Sequence, residues 1–159
     1  MPSATLKVTL TEQIILNGRD QGSKSTLSIS GINEVVKRIA SVSTTETGLL
    51  GFATDSSTDL AKSYIAGQFD EDNARYIRIT NLDSTNHVTL IFRSEGDAEF
   101  ALKLDKGQSF IYNGDLSSGV VDTMDASASA LTVSFEDLVD ITAQADTASC
   151  NVEVFVASA

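Results

Sequence analysis

The sequence contains one histidine, His87, so any chemistry that needs an imidazole must be built on that residue. It lies in the segment YIRITNLDSTNHVTLIF, where two stretches of alternating apolar and polar residues flank a turn. Metal sites with several histidines are excluded. A Ser-His-Asp triad stays open, but no GxSxG motif is present to position a serine. The pattern therefore favours a polar scaffold residue over a catalytic group.

Acidic residues are the other source of potential chemistry. Asp70, Glu71, Asp72 and Asn73 offer oxygen ligands, but they lack the spacing and the distal glutamate of an EF-hand, which favours a solvated turn. The 22 acidic residues of the chain do not single out a pair for glycoside hydrolysis. No GxxxxGK[ST] or GxGxxG phosphate loop occurs. The sequence predicts a protein that is not an enzyme and has no metal or cofactor.

Composition limits the partners of the chain. Its 159 residues suit a single domain spanning 1–159, and 42% hydrophobic and 21% charged residues are typical of a folded globular protein. A formal net charge of −11 opposes binding to nucleic acid, whose affinity comes largely from Lys and Arg. No apolar run approaches the roughly 20 residues that would cross a membrane. MPSATLKVTL does not resemble a signal peptide, which predicts synthesis in a cytoplasm.

Hydrophobic periodicity of two dominates, as expected of strands that bury one face. In the N-terminal region, Leu6, Val8 and Leu10 share one face, and Leu27 and Ile29 share another. Asn17-Gly18 lies between these stretches and tolerates the positive φ of a tight turn. The pattern predicts an N-terminal hairpin.

The secondary structure of the next segments follows less directly from the sequence. INEVVKRIASV fits a short helix or a strand, and its β-branched residues favour a strand. Residues 43–59 are rich in Ser, Thr and Gly and predict a loop with one short strand. DLAKSYIAGQF fits one or two helical turns, with a strand as the alternative.

The second half alternates clearly, in YIRIT, HVTLIFR, EFALKL, QSFIYN, ALTVSF and CNVEVFV. Cys150 is alone, cannot form an internal disulfide, and is expected to be a small buried side chain of the last strand. Leu104-Asp105-Lys106-Gly107 predicts a hairpin. In total, about nine to eleven short strands with little helix indicate an all-β antiparallel sandwich, jelly-roll-like in architecture.

Two long loops, 43–59 and 115–129, are the predicted contact regions, because long loops in compact domains are often functional. The candidate interface residues are the apolar side chains of these loops: Leu49, Leu50, Phe52, Val120, Val121 and Met124. The alternative is that these side chains cap the core.

Three blocks, YIRITNLDSTNHVTLIF, EFALKLDKGQSFIYNGD and ADTASCNVEVFVAS, follow each other in this order. Together they resemble small virion proteins of marine and cyanobacterial bacteriophages, over roughly residues 74–158. The resemblance implies a β-sandwich structural protein of the phage particle, made in the host cytoplasm. It supplies no catalytic residue.

The function expected from this resemblance is capsid decoration, in which a cement protein stabilises the head by subunit contacts. The partners would be the major capsid protein or neck and tail proteins, and the usual symmetry of such particles favours a homo-oligomer. The alternatives are a neck, tail or fibre-associated protein, or a receptor- or carbohydrate-binding module.

Overall fold

The computed structural model describes residues 3–53, 68–70, 72–113 and 134–159. Within these ranges the chain forms thirteen strands and no helix. The all-β prediction is confirmed. In the segment 32–42, for which helix and strand were both open, Glu34–Val42 is a strand, as its β-branched residues favoured. The helical turns considered for 59–69 and the strand predicted at 130–135 fall mostly outside the described residues.

The first four strands form a long hairpin, which we call the arm. They are β1 (Ala4–Thr11), β2 (Ile15–Leu16), β3 (Arg19–Asp20) and β4 (Lys24–Ile32). β1 pairs antiparallel with β4, and β2 pairs antiparallel with β3. The chain reverses at Asn17 and Gly18, with φ of 53° and 76°, the left-handed values that a type I′ turn requires. The predicted N-terminal hairpin is confirmed.

The remaining strands form two sheets. The four-stranded sheet contains β5 (Glu34–Val42), β8 (Ala74–Asn81), β11 (Ser109–Tyr112) and β13 (Cys150–Ser158). The five-stranded sheet contains β6 (Thr47–Ala53), β7 (Gln68–Asp70), β9 (Val88–Ser94), β10 (Glu99–Leu104) and β12 (Leu138–Ala145). All neighbours are antiparallel except β6 and β7, which are parallel.

The strand order is that of a jelly roll. The four-stranded sheet runs β11-β8-β13-β5, and the five-stranded sheet runs β10-β9-β12-β6, with β7 added at its edge. Without β7, eight strands remain, and they pair from the outside of the sequence inward: β5 with β13, β6 with β12, β8 with β11 and β9 with β10. This nested pairing is what two Greek keys produce when a long hairpin rolls up into a sandwich.

One apolar core fills the space between the two sheets. On β13, Val152, Val154 and Val156 are fully buried, whereas the residues between them lie on the outer face. Across the gap, Leu90 on β9 and Ile141 on β12 are equally buried. Cys150 is also buried in this core at the start of β13, as predicted. Burial raises the pKa of its thiol.

A β-bulge explains how two adjacent leucines can both be buried. Ile141 of β12 pairs with Leu50, whereas the next residue, Thr142, pairs with Gly48, so Leu49 is the extra residue of β6. A bulge interrupts the in-and-out alternation and lets both side chains face the core. The short strand predicted within 43–59 is therefore β6, a seven-residue strand inside the five-stranded sheet, and residues 54–59 lie outside the described part of the chain.

The edge strand β5 points a charged side chain into the sandwich. The guanidinium of Arg38 donates a hydrogen bond to the carbonyl oxygen of Leu49 on β6, which ties the two sheets together. Burial lowers the pKa of Arg38. An inward-pointing charge is a recognised way of preventing an edge strand from pairing with another chain.

The turn at Leu104–Gly107 is present, but it does not make the predicted hairpin. Gly107 has a φ of 71°, and the N–H of Gln108 donates to the carbonyl of Asp105 at 3.0 Å. However, β10 pairs with β9 and β11 pairs with β8, so the turn passes the chain from one sheet to the other. The reason is that the residues just before β11 already pair with the end of β8. The N–H of Gly107 donates to the carbonyl of Asn81, and the N–H of Asn81 donates to the carbonyl of Gln108, both at 3.0 Å.

Candidate functional site

The structure places three of the predicted interface residues in the core. Leu49, Leu50 and Phe52 belong to β6, and at most 4% of each is exposed. Their side chains pack between the two sheets of the same molecule, so they are not available to a neighbouring subunit. The interface assignment is corrected for these three, and the core alternative holds. Val120, Val121 and Met124 lie outside the described residues.

His87 lies immediately before β9, where the sequence placed it. Its Nδ1 is 3.4 Å from Oδ2 of Asp146, and the two side chains are half-exposed. The backbone N–H of Asp146 also donates to the carbonyl of His87 at 3.2 Å. No serine or threonine hydroxyl of the described residues forms a hydrogen bond with the imidazole. The pair joins the β12–β13 turn to β9, and among the described residues no hydroxyl stands beside it as the nucleophile of a triad would.

A cluster of charged groups lies on the outer face of the five-stranded sheet, around Arg93 of β9. Its guanidinium pairs with Glu46, with Glu99 at 2.6 Å and with Asp140 at 3.2 Å. Thr142 donates to Glu46 at 2.6 Å. Arg93, Glu46, Asp140 and Thr142, with Gly48, line a polar depression of about 340 Å³.

Arg93 is the cation shared by the three carboxylates of this cluster, and it balances one of their three negative charges. Burial raises the pKa of Asp140, and Arg93 offsets part of that rise. Hydrogen bonds from Thr142 and Arg93 lower the pKa of Glu46. Burial disfavours the charged form of Arg93, but the hydrogen bonds to Glu46 and Glu99 outweigh it and raise its pKa. Because the guanidinium of Arg93 pairs with all three carboxylates, the cluster links β9, β10 and β12 on the outer face of the sheet.

Within the ranges that the structure describes, no three His, Cys, Asp or Glu side chains are grouped so as to hold a metal ion. Of the turn predicted at 70–73, Asp72 and Asn73 are turn residues, whereas Asp70 is the last residue of β7. The carbonyl of Asn73 accepts a hydrogen bond of 2.8 Å from the N–H of Ala159.

Three sequence blocks, residues 76–92, 99–115 and 145–158, meet at one end of the sandwich. The buried amide of Asn81 donates to the carbonyls of Asn86 at 2.9 Å and Leu104 at 3.1 Å, and its oxygen accepts the N–H of Asp83 at 2.9 Å. Thr147 of the last block donates to the side chain of Asn86 at 2.7 Å. The three blocks therefore specify interlocked turns.

Asp83 organises the first of these turns. Its Oδ1 accepts the backbone N–H groups of Thr85 and Asn86, both at 2.7 Å. These hydrogen bonds lower the pKa of Asp83. Asp83 and Asn86 are turn formers, as the sequence indicated.

The base of the arm packs on the outer face of the four-stranded sheet. Ile32 at the end of β4 is buried with Tyr76 and Ala157, and Leu6, Val8, Ile29 and Phe155 pack against them. Tyr76 and Phe155 contact each other edge to face, with ring centroids 5.8 Å apart. Among the described residues, the apolar contacts that anchor the arm are therefore at its base.

The opposite end of the arm exposes apolar side chains. We call Leu10, Ile14, Ile15, Leu16 and Leu27 the apolar arm tip, and their exposed fractions run from 36% for Leu27 to 70% for Ile15. Leu10 continues the face of Leu6 and Val8, and Leu27 pairs with Val8. An apolar stripe of Leu6, Val8, Leu10, Leu27 and Ile29 thus runs outward from the covered base. Ile14, Ile15 and Leu16 add exposed apolar surface at the turn.

The arm tip is an ordered structure. The N–H of Glu12 donates to the carbonyl of Ser23 at 2.8 Å, and Ser23 Oγ donates to the Glu12 carboxylate at 2.6 Å. The N–H of Gly22 donates to Asp20 at 2.8 Å. A Cβ on Gly22 would lie 2.0 Å from the carbonyl oxygen of Glu12, so the close approach requires glycine.

Sequence reasoning missed this surface because exposed and buried apolar residues look alike in an alternating pattern. One signal was present. The stretch IIL directly precedes the Asn17-Gly18 turn, where polar residues are usual.

No family model, curated protein or solved structure matches this chain. In the part of the chain that the structure describes, no helix has the length and hydrophobicity for a bilayer crossing.

Proposed function

We propose that this chain is a non-enzymatic structural protein of a bacteriophage virion, in which it stabilises the particle by contacts with neighbouring subunits. The observation that carries the proposal is the ordered arm, whose apolar stripe is covered at its base and exposed at its tip. Apolar surface gains roughly 25 cal/mol for each Å² removed from water, so a partner that covers the tip is stabilised on the arm. The order of the three sequence blocks supports the assignment to a phage particle.

Capsid decoration is the first position we propose, with the major capsid protein as the neighbour. A cement protein needs a rigid body and a projecting element that reaches the next subunit. The jelly-roll body and the hairpin arm are compatible with these requirements. Placement in the neck or tail is the alternative, and it uses the same surface.

A carbohydrate- or receptor-binding module is the second candidate function. The polar depression around Arg93 favours it, because Glu46, Asp140 and Thr142 present oxygens that could accept sugar hydroxyls. The described tyrosines do not support it. Tyr76 is buried beneath the arm, and Tyr112 lines an apolar cleft between the sheets.

Incorporation into particles tests the proposal. The wild-type chain should co-purify with phage particles in a fixed copy number, measured by quantitative mass spectrometry. Ile15→Asp, which puts a charge on the apolar arm tip, should lower that copy number at least tenfold. Hundreds of copies would indicate the capsid shell, and six or twelve the neck or tail. Absence of the wild-type chain from particles would overturn the proposal.

Ser28→Asp is the matched control for this experiment. It adds the same charge to the same arm, on the polar face opposite Lys7. It should leave the copy number unchanged, and an equal loss with both variants would contradict a specific role for the apolar face.

A further inference from the structure

The exposed apolar side chains of the arm tip mark a contact site, and the charge of the chain narrows the choice of partner. Residues 1–32 hold Lys7, Arg19 and Lys24 against Glu12 and Asp20, a net charge of +1. Because the whole chain carries −11, residues 33–159 carry −12. Two such acidic bodies repel each other. The arm is the part of this protein that a second acidic body repels least.

A second uncovered apolar surface lies beside the base of the arm. On β5, Val35 and Ile39 are 52% and 62% exposed. Val35 pairs with Ala157, whose side chain is covered in the cluster at the base of the arm. Lys37 lies between them and pairs with Glu153 at 3.1 Å, and Arg78 pairs with the same carboxylate at 2.6 Å. One carboxylate balances one of the two cations, so these three groups leave a net charge of only +1 beside Val35 and Ile39.

We infer that the apolar arm tip packs against the outer face of β5, at Val35 and Ile39, in a second copy of this chain. This inference rests on the proposed function and names the partner of the arm. The contact resembles one that exists within the molecule, because Leu6, Val8 and Ile29 of the arm already pack beside Tyr76 of β8 and Ala157 of β13. The contact uses the face of β5, since the inward-pointing Arg38 disfavours pairing along its edge.

The arrangement is self-complementary. In a two-fold dimer, each copy gives one arm and one β5 face, so two identical contacts form. Because the bodies repel and the contact is apolar, added salt screens the repulsion and leaves the attraction in place. Association should therefore be as strong or stronger at high ionic strength.

Two single variants and their mixture test the inference. Light scattering and sedimentation of the purified wild-type chain should give a mass of at least two copies, which persists at high salt. Ile15→Asp and Ile39→Asp should each weaken association at least tenfold, while Ser28→Asp behaves as the wild type. Circular dichroism and unfolding midpoints confirm that each variant is folded.

The mixture gives the decisive result. The arm of the Ile39→Asp chain is intact, and so is the β5 face of the Ile15→Asp chain. Mixing them should restore one of the two contacts, and a heterodimer should form where neither variant associates alone. A monomeric wild-type chain, a normal Ile39→Asp variant or a mixture without heterodimers would overturn the inference. Particle incorporation would still stand as the separate test of the proposed function.

Discussion

Leu50→Ala is expected to lower the free energy of unfolding by about 2–5 kcal/mol. The side chain of Leu50 is fully buried on β6, opposite Ile141, and its removal leaves a cavity in a packed core. Urea denaturation at a low protein concentration, where association does not contribute, measures this loss. The folded fraction of this variant should associate as the wild type does, so any loss of association should equal the loss of folded protein.

Leu82→Ala is the matched control. Leu82 is exposed in the turn that follows β8, and the same substitution there should cost less than about 1 kcal/mol. If Leu50→Ala instead unfolded like the wild type and failed to associate, the Leu50 side chain would be an interface residue, as the sequence first suggested.

Asn81→Asp is expected to destabilise the protein by more than about 3 kcal/mol at neutral pH. The amide of Asn81 is buried and donates to two carbonyl oxygens, whereas a carboxylate would face those oxygens with a negative charge. The buried acid should have a raised pKa, so the difference from the wild type should shrink as the pH falls from about 8 to about 5. Denaturant unfolding across this pH range measures the effect.

Asn151→Asp is the control for that substitution. Asn151 is exposed on the outer face of β13, and the same change there should stay within about 0.5 kcal/mol. Equal losses at the two positions would mean that added negative charge alone destabilises this acidic chain. The buried hydrogen bonds of Asn81 would then not be the cause.

The parts of the fold that follow from local rules were predictable from sequence. Alternation at Leu6, Val8 and Leu10, followed by Asn17-Gly18, was enough to predict the hairpin, because its register depends on a nearby turn. The β-branched residues of β5 identified a strand for the same local reason. Asp83 was recognisable as a turn former from its neighbours alone.

Features that depend on distant residues were not predictable. The bulge at Leu49 exists because β12 fixes the register of β6, so the adjacent leucines looked like an apolar island in a loop. Gly107 marked a turn, but only its hydrogen bond to Asn81 shows that the turn changes sheets. The exposure of Ile15 depends on how the arm leaves the body, which an alternating pattern does not encode.

Photo-crosslinking at position 15 tests most directly whether the apolar arm tip is a protein-contact surface. A benzophenone amino acid would replace Ile15 in one chain and, as a control, the exposed Lys103 of β10 in another. Mass spectrometry of irradiated particles should find abundant adducts to a neighbouring protein from position 15 and few from position 103. Adducts from position 103 with none from position 15 would contradict the account.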